Sequence, residues 1–442
     1  MKFYIETLGC FKNKVDSELL ASILEKDYVY SNNPLDADII LINTCTFIKK
    51  AKQESIEAIL QYCEMKRKKI IVVGCLGQRY GREIMKEIPG VDAVVGSYGF
   101  KSIERVVERV VNSEKVIEVR KVPKYFGVEY SNRKLFKPSH YAFSKISDGC
   151  NHKCSFCIIP KVKGRLQSRT IESITEETKN LVKRGVKEII LISQDTTAYG
   201  TDIYGRARLV DLLNSLLEID KLRWIRLLYN YPGELKSKLL EVIASEPKVC
   251  RYLDIPVQHI SNNILKAMRR EISGSLVRKR ILKVREQYPE ISLRTTLIVG
   301  FPGESEENFS ELCRFVEEVR FERLGVFTYS REKGTASYSM KNHIPEKVKE
   351  ERKNTIMKIQ RKISLKNNRR FIGRVIPVVI DEKIGGKYLF DGRTEFDAPE
   401  IDNGVLITKG DATVGDIVKV KITDSTDYDL IGEIDEQHKT RN

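Results

Sequence analysis

The chain has 442 residues, 41% hydrophobic and 31% charged, an ordinary globular composition with room for two or three domains. Its net charge of +16 suggests a polyanionic neighbour such as RNA or a ribonucleoprotein, although a generally lysine-rich surface gives the same total. Nine scattered cysteines do not form a disulfide framework, and apolar runs such as ADIILINTC are too short to span a bilayer. The start, MKFYIETLGC, reads as a strand rather than a signal peptide, so the expectation is a reducing cytoplasm with no membrane partner.

Over residues 1–120, four short apolar runs (FYIETLG, ADIILINT, KKIIVVG, VDAVVGS) alternate with amphipathic helical runs, the third of them GREIMKEI. This alternation predicts a doubly wound, mostly parallel α/β sheet. Residues 121–140 lack periodicity and read as a linker. A second series over 141–372 alternates six strand-like runs (AFSKIS, EIILISQ, WIRLLYN, RYLDIPVQ, SLRTTLIVG, RLGVFTYS) with helices and closes with a basic helix. Six βα units are two short of a full eight-fold barrel. Over 373–437, β-branched runs between Gly and Asp turns predict a small antiparallel β-barrel.

The segment ISDGCNHKCSFCIIP (146–160) spaces Cys150, Cys154 and Cys157 as C-x₃-C-x₂-C directly after a strand. Three thiolates hold three irons of a cubane cluster and leave the fourth iron open for chemistry, whereas an electron-transfer cluster takes four cysteines. The competing use is zinc, with His152 or a distant residue as fourth ligand, but no second C-x₂-C or H-x₃-H unit follows. Cys10, Cys45 and Cys75 each follow a predicted strand of the first sheet. The carboxyl ends of such strands converge on one edge, so the three should meet despite their separation. A second three-cysteine cluster is the natural inference, with zinc still open on these residues alone. Cys63, Cys250 and Cys313 have no such placement and read as packing residues.

The C-x₃-C-x₂-C motif resembles that of radical S-adenosylmethionine (SAM) enzymes, whose core is a six-stranded open barrel. The full pattern of three plus three cysteines resembles the methylthiotransferases: an N-terminal methylthiotransferase domain, a radical SAM domain and a C-terminal TRAM domain. The resemblance implies two 4Fe-4S clusters and SAM. Cys150, Cys154 and Cys157 would hold the cluster that cleaves SAM to a deoxyadenosyl radical. Cys10, Cys45 and Cys75 would hold an auxiliary cluster carrying the sulfur to be transferred. It also implies an external electron donor and a sulfur donor.

LGCFKNKVDSE, GCNHKCSFCIIP, QDTTAYG and GRTEFDAPEID resemble the protein-modifying type of this family, which methylthiolates the β-carbon of an aspartate in the twelfth protein of the small ribosomal subunit. One departure is Lys163-Gly164, where that type usually has Arg-Gly, and an arginine fork is not a lysine. A tRNA adenosine methylthiotransferase is the second reading. A non-catalytic iron–sulfur or zinc protein docking on ribosomes is the third. Charge bears on the choice: residues 374–436 hold seven basic and fifteen acidic side chains, which suits a basic protein partner better than RNA. A solvated acidic barrel without a partner has the same composition, and the basic remainder leaves ribosomal RNA as a further contact.

Candidate SAM contacts follow from position. Gln194 and Asp195 end the second barrel strand, where a carboxylate suits SAM's ammonium, although a turn-forming Asp is as common there. Gly300 and Gly303, with Pro302 and Glu304, resemble the glycine-rich SAM-contacting segment after the fifth strand. Gln258 and His259 sit after the fourth strand, at the expected mouth, where SAM or substrate would bind.

Overall fold

The computed structural model describes residues 1–121, 130–136 and 139–435. The first unit contains β1 (Lys2–Thr7), α1 (Phe11–Leu24), β2 (Val29–Tyr30), β3 (Ile39–Thr44), α2 (Lys49–Cys63), β4 (Lys69–Gly74), α3 (Cys75–Glu87), β5 (Ala93–Val95), α4 (Ile103–Val111) and β6 (Val116–Glu118). The strands form one parallel sheet in the order β2-β1-β3-β4-β5-β6. Central β3, IILINT, is buried throughout: Ile39 and Leu41 enter one core, Ile40 and Ile42 the other. Apolar residues on both faces of a strand are what a sheet covered on both sides requires. The sequence pattern missed β2 and β6, which are too short to show alternation. It also started α3 at Gly81, whereas the helix begins at Cys75, six residues earlier, with a kink at Tyr80.

The second unit runs β7 (Tyr141–Lys145), β8 (Ser147–Asp148), α5 (Ile159–Val162), β9 (Gln167–Ser168), α6 (Ile171–Lys183), β10 (Glu188–Ile192), α7 (Leu209–Leu217), β11 (Trp224–Leu227), α8 (Ser237–Ser245), β12 (Tyr252–Asp254), α9 (Asn262–Ala267), α10 (Gly274–Gln287), β13 (Ser292–Val299), α11 (Glu306–Val319), β14 (Arg323–Thr328) and α12 (Glu346–Arg369). The six expected strands line up in sequence order as two parallel three-stranded sheets, β7-β10-β11 and β12-β13-β14. The seam between them is bridged by Asn230 N–H to the Asp254 carbonyl (2.9 Å) and Ile225 N–H to the Lys248 carbonyl (2.7 Å). Ile189 and Leu191 of β10 face the outer helices; Ile190 and Ile192 face inward.

An open barrel of six strands leaves part of its inner apolar face uncovered. Here α1 covers it: Val15 and Leu19 share a core with Ile190, Ile192 and Leu228, and Phe11 stacks on Phe143 at 4.2 Å. Part of the presumed linker is docked as well. Tyr130 and Arg133 are fully buried, and Arg133 joins Glu18 of α1 to Glu177 of α6.

The third unit is a closed barrel of β15 (Val375–Gly385), β16 (Tyr388–Arg393), β17 (Val405–Lys409), β18 (Ile417–Ser425) and β19 (Leu430–Ile434), in the order β15-β16-β17-β19-β18. It departs from the expectation by a fifth strand, β19, and by one parallel pairing, β17 with β19. Residues 394–402 leave this barrel and form the floor of the larger one. Arg226 donates to the Glu395 carbonyl (2.7 Å), Arg323 pairs with Asp397 (2.7 Å), Arg294 with Asp402 (3.1 Å), and Tyr252 donates to Asp402 (2.6 Å). Asp416 and Asp427 meet Lys187 and Arg361 in the same way. Much of the negative charge in this unit is therefore a docking complement to the basic chain before it.

Asp391 of β16 has no such partner. Burial, then repulsion from Asp381 and Asp429, pushes its carboxyl up to about 6. A carboxyl raised in the folded state loses stability as pH climbs from its unfolded value through the raised one. We therefore expect Asp391→Asn to raise the thermal midpoint at pH 7 but not near pH 4. The gain should be under about 1 kcal/mol because the side chain is partly solvated; thermal unfolding at the two pH values checks it.

Candidate functional site

Cys10, Cys45 and Cys75 follow β1, β3 and β4, three adjacent strands, so they share one stretch of the sheet's carboxyl edge. Side chains brace the three loops together. Asn13 donates to the Leu8 carbonyl (2.7 Å) and the Thr44 carbonyl (3.1 Å), and Thr44 Oγ1 donates to the Val73 carbonyl (2.6 Å). Ser55 Oγ accepts from Cys45 N–H at 3.0 Å. Gly9 takes φ +91°, and a Cβ there would stand 2.5 Å from that of Cys45, so no side chain fits between the first two cysteines. Cys45 and Cys75 are buried, Cys10 is exposed, and all three are free thiols.

The second triad lies on the loop after β8. Cys150 N–H donates to the Gly164 carbonyl (3.1 Å), and Ser155 fastens the loop to the end of α9 through the Met268 carbonyl (2.9 Å) and the Ala267 carbonyl (2.8 Å). Burial pushes Cys45 and Cys157 up to about 12 and Cys75 and Cys150 to about 11, and neighbouring thiols add to each rise. Such a donor set gives up its protons readily only to a strongly bound cation, which fits an iron cluster. Among the described residues no group of three His, Cys, Asp or Glu side chains closes around a single ion. His152, the suggested fourth zinc ligand, is taken by Asp195 at 2.7 Å and stacks on Tyr231 at 4.0 Å.

The first triad touches the loop of the second through Cys75. Cys75 packs with Ile158 and Val162, and Ile158 directly follows Cys157 in the chain. Beside this apolar partition lies a buried four-charge cluster. Lys145 and Lys163 both meet Asp16 of α1 and Asp148 of β8, Lys163 at 3.3 Å from each. Burial works against every charge here, but the lysines outweigh it at Asp148, which is held well below the usual carboxylate range. Lys163, the departure from the family pattern, is thus fully paired; its ammonium also opposes the rise at Cys75. A paired buried cluster like this joins the first and second units, and losing one member would strand the others.

The remaining candidates separate. Asp195 is buried and lines a cavity of about 180 Å³ with Cys150, His152, Thr197 and Glu234. Gln194 donates to Asp148 at 2.9 Å, and the Oε1 atoms of Gln194 and Gln258 are buried without partners among the described residues. Orphaned acceptors at this mouth fit a ligand that carries donors, as SAM does. Gly303 has open space over its α-carbon, whereas a Cβ on Gly300 would meet Lys349 at 2.2 Å; Gly300 makes room for α12 rather than for a ligand. His259, expected at the mouth, is fully buried, with Nδ1 accepting from Ser261 N–H and Nε2 3.6 Å from Glu304.

Sequence reasoning missed two groups. Arg270 lies 4.4 Å over the Tyr231 ring and 4.0 Å from Cys154 Sγ, with its Nε buried and unpartnered. Tyr229, past the end of β11, holds φ +63°, a conformation that costs a bulky residue of order 1–3 kcal/mol. Neither carries a motif; only the fold brings them to the cysteines.

Comparison with known proteins agrees with this architecture. Three family models match: the uncharacterized protein family UPF0004 over residues 2–96, the radical SAM superfamily over 144–316 and the TRAM domain over 372–434. Among solved structures, the radical SAM methyltransferase TsrM from Kitasatospora setae is similar, with a TM-score of 0.58 over 76% of each chain at 13% identity, a likeness of fold. Among curated proteins, the ribosomal protein uS12 methylthiotransferase RimO of Thermoanaerobacter sp. (strain X514) is 46% identical, over 97% of this chain and 99% of its own. The protein of that name from Geobacter sulfurreducens is 45% identical over 98% of each chain. The one from Clostridioides difficile (strain 630) is 43% identical over 98% of this chain and 99% of its own. With identity at this level from end to end, the chain belongs to the ribosomal protein uS12 methylthiotransferase family.

Proposed function

We infer that this chain methylthiolates the β-carbon of an aspartate in ribosomal protein uS12, by radical SAM chemistry with two 4Fe-4S clusters. The observation that carries the reading is the packing of Cys75, one of the first three cysteines, against Ile158 and Val162, which follow Cys157 of the second three. An aspartate β-carbon has no leaving group and no usefully acidic hydrogen, so acid–base side chains cannot activate it. When bound, the cluster on Cys150, Cys154 and Cys157 supplies the electron that cleaves SAM, and the one on Cys10, Cys45 and Cys75 carries the sulfur. The protein's own side chains hold and seal the site. Ile158 and Val162 exclude water between the two sites. Asp195 receives SAM's ammonium, while Gln194 and Gln258 offer amide oxygens to its other donors. Gly303 lets the backbone approach the ligand closely.

An external reductant and a sulfur donor complete the cycle, and nine free cysteines suit a reducing cytoplasm. No helix among the described residues is long and apolar enough to cross a membrane. The acids of the small barrel that remain exposed, Glu382, Asp411 and Asp424, offer a face for a basic ribosomal protein, and the basic chain before it a contact for ribosomal RNA.

The test is anaerobic turnover of reconstituted protein with SAM, reductant and sulfide, offering uS12 and unmodified tRNA in parallel. A methylthio group on a uS12 aspartate, with deoxyadenosine released and tRNA untouched, is the expected result. A gain on tRNA adenosine would overturn the substrate, and absence of deoxyadenosine from protein carrying both clusters would overturn the enzyme.

A further inference from the structure

Lys12 stands two residues after Cys10, in the first turn of α1, and its side chain crosses to the mouth of the larger barrel. Its ammonium donates to the Ser193 carbonyl at 3.1 Å and lies 4.1 Å above the centre of the Tyr229 ring. Ser193 precedes Gln194 and Asp195, so this charge sits between the Cys10 edge and the Asp195 side of the cavity that opens at Cys150.

Three neighbouring cations are already neutralised, Lys145 and Lys163 by Asp16 and Asp148 and Arg294 by Asp254 and Asp402, while Arg270 lies on the far side, against Cys154 and the Pro256 carbonyl. Lys12 has no carboxylate within ion-pair distance among the described residues. A carbonyl and a ring face leave its ammonium with donor capacity to spare. No acidic residue occupies the first turn of α1 to compete for it. The platform beneath is fixed: Tyr229 N–H donates to Asp254 (2.8 Å) and its carbonyl accepts from Thr196 N–H (3.0 Å), which hold the residue in its left-handed conformation. A strained residue pinned from both sides, presenting an aromatic face to a cation between two metal-binding triads, points to recognition rather than packing.

We propose that Lys12, seated on Tyr229, recognises the side-chain carboxylate of the substrate and so sets the adjacent carbon between the two cysteine triads. This rests on the reading that the substrate is a protein aspartate. It makes Lys12 a specificity residue, separate from the cluster ligands and the SAM contacts.

The experiment offers a uS12 peptide and its Asp→Asn counterpart to wild-type, Lys12→Met and Lys12→Arg protein, each with iron content and cluster spectra measured first. Wild type is expected to prefer Asp over Asn by about 100-fold in kcat/KM, the range of a charge-assisted hydrogen bond. Lys12→Met should erase most of that preference, mainly through KM for the Asp peptide, and Lys12→Arg should restore part of it. A Lys12→Met protein with both clusters that still discriminates Asp from Asn overturns the proposal, as does equal loss on both peptides. If wild type modifies neither peptide nor uS12, the proposed function itself fails.

Discussion

Cys154→Ala is expected to end release of deoxyadenosine from SAM, and Cys75→Ala to leave that release in place while ending methylthio transfer. The two triads are held by separate elements, one by the sheet edge after β1, β3 and β4, the other by the loop between β8 and α5. Losing a ligand from one should leave the other assembled, so each variant should lose about one cluster's worth of iron, roughly four atoms. A radical step has no acid–base substitute in this site, so the affected activity should fall by about 10³-fold or more, over 4 kcal/mol of barrier. Cys250, buried beside Arg226, serves as the control: Cys250→Ala should keep both clusters and both activities. Deoxyadenosine from Cys154→Ala at wild-type rates would show that the ligands are misassigned. Loss of both clusters from Cys75→Ala would show that the sites do not assemble independently.

Arg133→Met should cost about 3–5 kcal/mol, because it strands charges that are already out of water. The guanidinium is fully buried between Glu18 and Glu177 and donates to the Phe143 carbonyl. Burial alone would raise Glu177; Arg169 and then Arg133 outweigh it and hold its carboxyl below the usual range. A depressed carboxyl contributes stability at neutral pH and loses it only as pH falls through its folded value. With Arg133 gone that value moves up, so acid unfolding of the variant should begin at higher pH than in wild type. Urea unfolding at pH 7 and at pH 5 measures both effects. A change below about 0.5 kcal/mol at pH 7 would mean that Arg169 alone satisfies Glu177.

What was legible in the sequence was whatever local pattern encodes. Strand ends and cysteine spacing led to both triads because the carboxyl edge of a parallel sheet gathers residues regardless of their distance along the chain. The alternation of βα units led to the larger barrel. Short edge strands β2 and β6 carry too few residues to show a period, and β19 was hidden among Asp-rich turns. Lys12, Tyr229, Arg270 and Arg133 were illegible for a different reason: their partners lie tens to hundreds of residues away. The acid count of the last unit was read correctly as a number. Its meaning changed once Glu395, Asp397 and Asp402 were found against Arg251, Arg323 and Arg294.

Those three pairs limit how this protein can be taken apart or recombined. Sequence families divide the chain into three exchangeable segments, but the floor of the radical SAM barrel is built from the last of them. A chimera whose C-terminal segment lacked these carboxylates would leave Arg323 uncompensated beneath the reaction chamber and Arg294 with Asp254 as its one remaining carboxylate. Truncation before residue 394 would open that chamber from below. Inheritance of the C-terminal segment is therefore tied to three arginines of the catalytic barrel, and an exchange of partner specificity between relatives must carry both halves of the match.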